Sequence, residues 1–324
     1  MVMDFWAAKR KARAWTALYI TLFVILTAVM AVTVEVILRY FAPDYADSPF
    51  PFFGTLFAGL TFLVAGVQYL MFKTQGGSYV ALSLGARPIG AAPGHPQQQQ
   101  LLNIVKEISI ASGMPMPEVF ILNKPSINAF AAGLSPDKAS VTVTDGALDM
   151  LTRDELQGVV AHEFGHIANG DMAISMRLAA LVMGFFFIFY IALRLLRFSS
   201  LASDRENRGG QVLALAALVF FLAGSVMWFF GSVLKSAVSR EREYLADASS
   251  VQFTRNPDGI VGALRKIANE TITDMPDNGA YSHLYFDDRI PFSGIFHTHP
   301  PLKKRIQALL NRKYIPREWN IPDD

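Results

Sequence analysis

The chain has 324 residues, of which 52% are apolar and 17% charged, with a mean hydropathy of +0.30. That balance fits a protein lying partly in lipid and partly in water, and a net charge of +2 is too small and too scattered to argue for a nucleic-acid partner. There is no cysteine, which excludes a disulfide framework, a thiolate metal site and a thiol nucleophile, so any bound metal must be held by histidine and carboxylate.

Four stretches are apolar enough to span a bilayer. Ala14 to Val34 runs for about 21 residues without a charge, and Ser48 to Phe72 is of similar length, so residues 1–74 read as a helical hairpin in the membrane. The Lys9, Arg10, Lys11 and Arg13 cluster places the N-terminus in the cytoplasm, with Asp44 and Asp47 in the outer loop, and the chain returns to the cytoplasm at Lys73. A cleaved signal peptide is the alternative for the first span, but its apolar run is long and a second span follows closely.

Residues 75–100 are rich in Gly, Pro and Gln and read as a linker. A 3.6-residue periodicity begins at Leu101 and predicts an amphipathic helix to Ser112, within the first part, spanning 101–177, of a domain outside the membrane. Glu118 to Asn123 and Ala139 to Thr144 read as strands flanking Asn128-Ala129-Phe130-Ala131-Ala132-Gly133. Thr152 and Glu155 form a capping box that opens the next helix. This helix carries His162-Glu163-Phe164-Gly165-His166. Histidines at i and i+4 leave one helix face about a turn apart, where both can grip one Zn²⁺, and Glu163 between them is placed to act as general base.

The remaining apolar stretches, Leu178 to Leu193 and Gly209 to Leu234, make a second hairpin over 178–234, the first of them short for a bilayer at about 16 uncharged residues. Its loop holds Arg194, Arg197, Arg205 and Arg208 against Asp204 and Glu206, a positive excess on the expected outer side. Two placements fit: a full crossing with the arginines snorkelling outward, or a shallow hairpin in the inner leaflet. Under either one, His166 before the hairpin and Arg240 after it face the same compartment. His166 precedes the third span by about 12 residues, roughly 18 Å of helix, and Glu241-Arg242-Glu243 follows the fourth by a similar stretch. A second part of the domain outside the membrane, 235–324, thereby brings a carboxylate to the level of the histidines and completes a two-His, one-carboxylate zinc shell. Glu241 competes with Glu243, but Glu243 has Asp247 one turn along on its own face.

The segment from His162 to Met172, together with Ser239 to Ala248, resembles the HtpX-type membrane zinc metalloproteases, a family that includes the CaaX prenyl proteases. Ile127 to Ala131 and the late Thr298-His299-Pro300-Pro301-Leu302-Lys303-Lys304-Arg305 extend the likeness over roughly 101–305. The resemblance implies an α-helical integral membrane protein of about four transmembrane helices, with a mainly helical α+β zincin-type catalytic domain and a small edge-strand sheet. It makes His162, His166 and Glu243 the ligands of one Zn²⁺ and Glu163 the base. Asp247 and Arg305 become supporting residues, and His299 becomes a donor to the developing oxyanion. Asn128, Ala129, Phe130 and Ala131 become the edge that pairs with an extended substrate. Such pairing reads backbone more than sequence, which implies cleavage of misfolded or loosely folded polypeptides, mainly membrane proteins, in stress-linked quality control at a bacterial inner membrane.

Other readings are weaker. The segments 39–50 and 197–210 are too short to fold as a sensor, so a role as the protease of a signalling system would need a separate sensor protein. CaaX-type prenyl-protein processing is possible by kinship, although such enzymes enclose their site with more membrane helices. A noncatalytic scaffold is disfavoured by the intact ligand set with Glu163. His95, His283 and His297 read as surface or packing residues, and the run Phe185-Phe186-Phe187 as lipid-facing or packing surface.

Overall fold

A computed structural model of the protein describes residues 5–90, 94–201, 208–237, 240–269 and 301–311. From the N-terminus, α1 (Phe5–Phe41), the short α2 (Pro43–Ala46) and α3 (Phe52–Gln75) form the first hairpin, followed by α4 (Gly77–Ser83) and β1 (Arg87–Pro88). Then come α5 (Pro96–Ser112), β2 (Glu118–Leu122), β3 (Ala129–Ala132), β4 (Ser140–Thr144), α6 (Asp145–Met150) and α7 (Arg153–Asn169). The second hairpin is α8 (Asp171–Leu201) and α9 (Arg208–Ala237), and α10 (Arg240–Thr254), α11 (Pro257–Asn269) and α12 (Leu302–Leu310) complete the described chain. This is a mainly helical membrane protein with a small sheet. Among the described residues four helical segments, Ala17–Phe41, Phe52–Gln75, Asp171–Arg197 and Gln211–Gly231, are long and apolar enough to cross a membrane. The third is longer than its uncharged run of sequence because the helix continues through Asp171 and Arg177 at one end and Arg194 at the other.

The chain divides into two compact units, one of residues 14–70 and 177–234, the other of residues 1–13, 71–176 and 235–324. In the first, Phe23, Phe57, Phe185, Phe220 and Met227 share a buried core. Small residues let the helices approach closely: Gly54 packs on the backbone of Ala31, Gly184 on Thr61 and Gly224 on Phe189. The outward surface is apolar too, with Val32, Leu63, Leu222 and Phe229 exposed, and a helix apolar all round belongs in lipid. At the end of α8, Arg194 donates to the Tyr190 hydroxyl and lies over its ring, an aromatic and basic pair typical of a membrane interface.

In the second unit the sheet order is β1-β2-β4-β3, with β2 and β4 parallel and β1 and β3 antiparallel to their neighbours. The stretch expected as a linker therefore contributes a helix and an edge strand. Helix α5 starts five residues before the onset of its periodicity, because Pro96 suits the first helical position and the glutamines after it are good helix formers. The capping box is present: Thr152 accepts from the Glu155 amide and Glu155 from the Thr152 amide. Helix α7 is buried over nearly its whole circumference from Leu156 to Gly165. It packs against α5, α10, α11 and β3, and its Val159, Val160, Phe164 and Ile167 join Ile104, Ile108, Val141, Val251 and Leu264 in one core. Two glycines set those distances. A methyl group at Gly158 would lie 2.5 Å from the Ile260 amide nitrogen of α11, and one at Gly165 would lie 2.9 Å from Cα of Ala246 in α10.

Candidate metal centre

The close approach of α7 and α10 at Gly165 brings Glu243, one turn earlier on α10, to the two histidines of α7. Donor atoms of His162, His166 and Glu243 all lie within 4.8 Å of one another. His162 Nε2 is 3.6 Å from Glu243 Oε2, and His166 Nε2 is 3.5 Å from Glu243 Oε1. The two imidazole rings are 4.8 Å apart and nearly perpendicular. A tetrahedral ion with bonds of about 2.0–2.1 Å asks for ligand atoms roughly 3.3–3.4 Å apart, so the two histidine–glutamate spacings suit zinc, as do two imidazoles and a carboxylate in chemical kind.

The other side of His162 is held by charge. Asp247 Oδ1 lies 2.9 Å from His162 Nδ1. Arg305, which has no exposed surface, grips Asp247 with two hydrogen bonds of 2.9 and 2.6 Å. Its Nη1 is also 3.3 Å from Glu243 Oε2. Burial works to raise the Asp247 pKa, but the Arg305 charge and the bonds from His162 and Arg305 hold the carboxyl below its ordinary range. An ionised carboxylate only accepts, so Nδ1 of His162 carries the proton and Nε2 keeps its lone pair for a metal ion. Burial, reinforced by the Arg305 charge, lowers His162 to about 4, which keeps the ring neutral as a metal ligand requires.

His166 behaves oppositely. Burial lowers its pKa, but Asp171 at Nδ1 and the charges of Glu243 and Glu163 outweigh that and raise it to about 9. An ion bound there must displace a proton. Glu163 itself is buried, between the two histidines in sequence, and its charge raises the pKa of both His166 and Arg305.

Of the residues expected from sequence, His162, Glu163, His166, Glu243, Asp247 and Arg305 come together here. Asn128, Ala129, Phe130 and Ala131 do not join the polar cluster. They form and precede β3, the last strand in the sheet order, and α7 packs on that strand. All four are at most 5% exposed, and Asn128 is tied to the end of β4 through its amide to Thr144 Oγ1. His299, His283, His297 and the Glu241 side chain lie outside the described residues. Two residues to which the sequence assigned no role join the cluster as well, Asp171 at His166 and Arg242 at Asp171. Gly170, at a φ of 75° between α7 and α8, is the signal that could have found Asp171. It ends α7 and turns the next residue back toward the helix it has left.

Residues 95–313 match the model of peptidase family M48. A Protease HtpX homolog of Listeria welshimeri is 36% identical over 262 residues, covering 76% of this chain and 84% of that protein. Another from Streptococcus uberis is 37% identical over 217 residues, covering 66% and 73%. The crystal structure of S. mikatae Ste24p aligns over 95% of this chain and 67% of that one, with a TM-score of 0.47 and 16% sequence identity. With two thirds of its length under the family model and its histidine–glutamate cluster inside that span, the chain belongs to peptidase family M48.

Proposed function

We propose that the protein is a zinc-dependent endopeptidase of a bacterial inner membrane that cleaves misfolded or loosely folded polypeptides, membrane proteins among them. The observation that carries this reading is the convergence of His162 Nε2 and His166 Nε2 on the two oxygens of one buried carboxylate, Glu243, beside Glu163. One Zn²⁺ is held by His162, His166 and Glu243, and when bound it supplies a Lewis acid for a water and for the scissile carbonyl. Glu163 accepts the water's proton and returns it to the leaving amine. Asp247 and Arg305 keep the His162 lone pair turned inward and offset the charge of Glu243. His299 donates to the carbonyl oxygen as negative charge grows on it. The β3 edge from Asn128 to Ala131 takes an extended substrate, with Asn128 anchoring the end of the strand to Thr144, which favours unfolded segments over any particular sequence.

The unit of residues 14–70 and 177–234 serves as the membrane anchor, and the other unit, held on the cytoplasmic side by the basic cluster near the N-terminus, carries the chemistry. The test is cleavage of an unfolded protein and of a tightly folded control by the detergent-purified chain, wild type against Glu163→Gln, with zinc content measured for both. The expected result is zinc in both, with cleavage of the unfolded protein by the wild type alone. Zinc absent from the wild type, or equal cleavage by the two proteins, would overturn the reading.

A further inference from the structure

Each histidine of the cluster has a carboxylate at its Nδ1, and each of those carboxylates is backed by an arginine. Asp247 and Arg305 serve His162. The second set is His166, Asp171 and Arg242, with Asp171 Oδ2 at 3.4 Å from His166 Nδ1 and Asp171 Oδ1 at 3.6 Å from Arg242 Nη1. The same Nη1 donates to the main-chain oxygen of Asp171 at 3.4 Å, so Arg242 holds this residue by side chain and backbone together. We propose that Asp171 and Arg242 are positioning residues that fix the ring of His166 for the ion and tie that ligand to the first residue of α8.

Local geometry makes this more than a helix-start acid. On an unbroken helix Asp171 would lie about 140° round the axis from His166 and could not reach its ring. Gly170, in the left-handed region, breaks the helix and brings Asp171 back over the last turn of α7. An acid serving only the dipole of α8 needs no partner from another helix, whereas the Asp171 side chain, 9% exposed, is clamped by the α10 residue next to Glu243. The first turn of α10 therefore supplies both a donor to the ion and the clamp on a second donor's support. A carboxylate that accepts the Nδ1 proton sets the tautomer and the ring rotation, leaving Nε2, 3.5 Å from Glu243 Oε1, as the ligand atom.

The proposal rests on the reading that His162, His166 and Glu243 hold zinc. It is tested on the full chain in detergent with wild type, Asp171→Ala, Asp171→Asn, Arg242→Gln and the double variant Asp171→Ala/Arg242→Gln. Three quantities are read: zinc affinity against a chromophoric chelator, the electronic spectrum of the Co²⁺-loaded protein, and the melting temperature of the metal-free protein. Asp171→Ala is expected to weaken zinc binding by about 10–100-fold and to alter the cobalt spectrum. Asp171→Asn, whose amide oxygen still accepts, should keep most of the affinity. Arg242→Gln should weaken binding less and add little on top of Asp171→Ala, because both changes act through one ring. Wild-type affinity and spectrum in Asp171→Ala, with or without a lower melting temperature, would reduce Asp171 to a helix-start role and overturn the proposal alone. Should Asp171→Ala fail to fold, wild-type affinity in Arg242→Gln would overturn it. A wild-type chain that binds no zinc would overturn both this proposal and the reading beneath it.

Discussion

Gly165 and Ala246 mark the place where α7 and α10 meet backbone to backbone. A Cβ at Gly165 would sit 2.9 Å from Cα and 3.0 Å from the carbonyl oxygen of Ala246, with Ser249 Cβ equally near. None of these atoms can swing aside as the tip of a flexible side chain could. Gly165→Ala is therefore expected to push α10 outward, carry Glu243 away from His162 and His166, and cost about 1–3 kcal/mol of stability as overpacking. Zinc content and melting temperature check this. Gly94→Ala, where nothing lies within 4 Å of the added methyl, serves as the control and should change neither. Gly165, the third of the three residues between the histidines, thus serves helix approach, and the pentad encodes a packing surface as well as a ligand pair.

Arg305 is a fully buried cation facing Asp247 and Glu243. Truncating it to Met would leave two buried carboxylates with their shared positive partner gone. Breaking such a group costs about 3–5 kcal/mol, seen as a lower melting temperature of the metal-free protein. Lysine should not restore it, since a single ammonium cannot reproduce the paired bonds from Nε and Nη2 to the two oxygens of Asp247. Equal melting of Arg305→Lys and the wild type would show that only the charge matters.

The pattern of residues made much of this legible. Capping chemistry at Thr152, the i, i+4 histidines and the apolar runs all act over a few residues or by composition, so α7 and the four candidate spans are visible in the chain itself. Strands β2 and β4 are legible for the same reason, as runs of β-branched residues. What escapes is set by contacts distant in sequence. Strand β1 is two residues long and exists only through pairing with Phe120 and Ile121, and nothing local in Arg87-Pro88 announces it. Asp171 follows a glycine at a helix junction and reads as an ordinary first-turn acid until α10 brings Arg242 onto it. Low exposure along β3 is likewise a product of what packs on the strand and has no signature in Ala129-Phe130-Ala131-Ala132.

Acid should loosen α7 from α11 through one carboxylate. Burial favours the neutral form of Glu155, but the bond from Lys266, supported by the Thr152 amide, holds its pKa below the ordinary 4.5. A carboxyl whose folded pKa is depressed stabilises the fold above its unfolded value and loses that contribution as pH falls through the folded value. The wild-type melting temperature should accordingly fall as pH drops below about 4.5. Glu155→Gln should lower the melting temperature at neutral pH and flatten the acid slope. Lys266→Met should flatten it in part, because the Thr152 amide still donates to the carboxylate. Parallel acid slopes in wild type and Glu155→Gln would assign the loss to other groups.

In the first hairpin, Glu35 closes the connection between α1 and α3. Its Oε2 accepts from the Gly54 amide at 3.0 Å, and its Oε1 accepts from Arg39 Nε and the Tyr45 hydroxyl, each at 2.7 Å. Tyr45 in turn accepts from the Phe52 amide at 2.8 Å. Together Glu35 and Tyr45 take up amides of the first turn of α3 that have no partner within the helix. An acid at the edge of a membrane span is costly, and here each of its oxygens is matched. Glu35→Leu should strand the Gly54 amide and leave the Tyr45 hydroxyl only its longer bond to the Phe50 carbonyl as donor, a loss of about 1–3 kcal/mol. Chymotrypsin should then cut the 42–51 connection faster in detergent, while zinc content stays at the wild-type level because the affected groups belong to the hairpin. Glu35→Gln keeps an acceptor for one donor at a time and should fall between the two. A cleavage rate in Glu35→Leu equal to that of the wild type would mean that apolar packing at Phe53 and Phe57 closes the hairpin without the polar cluster.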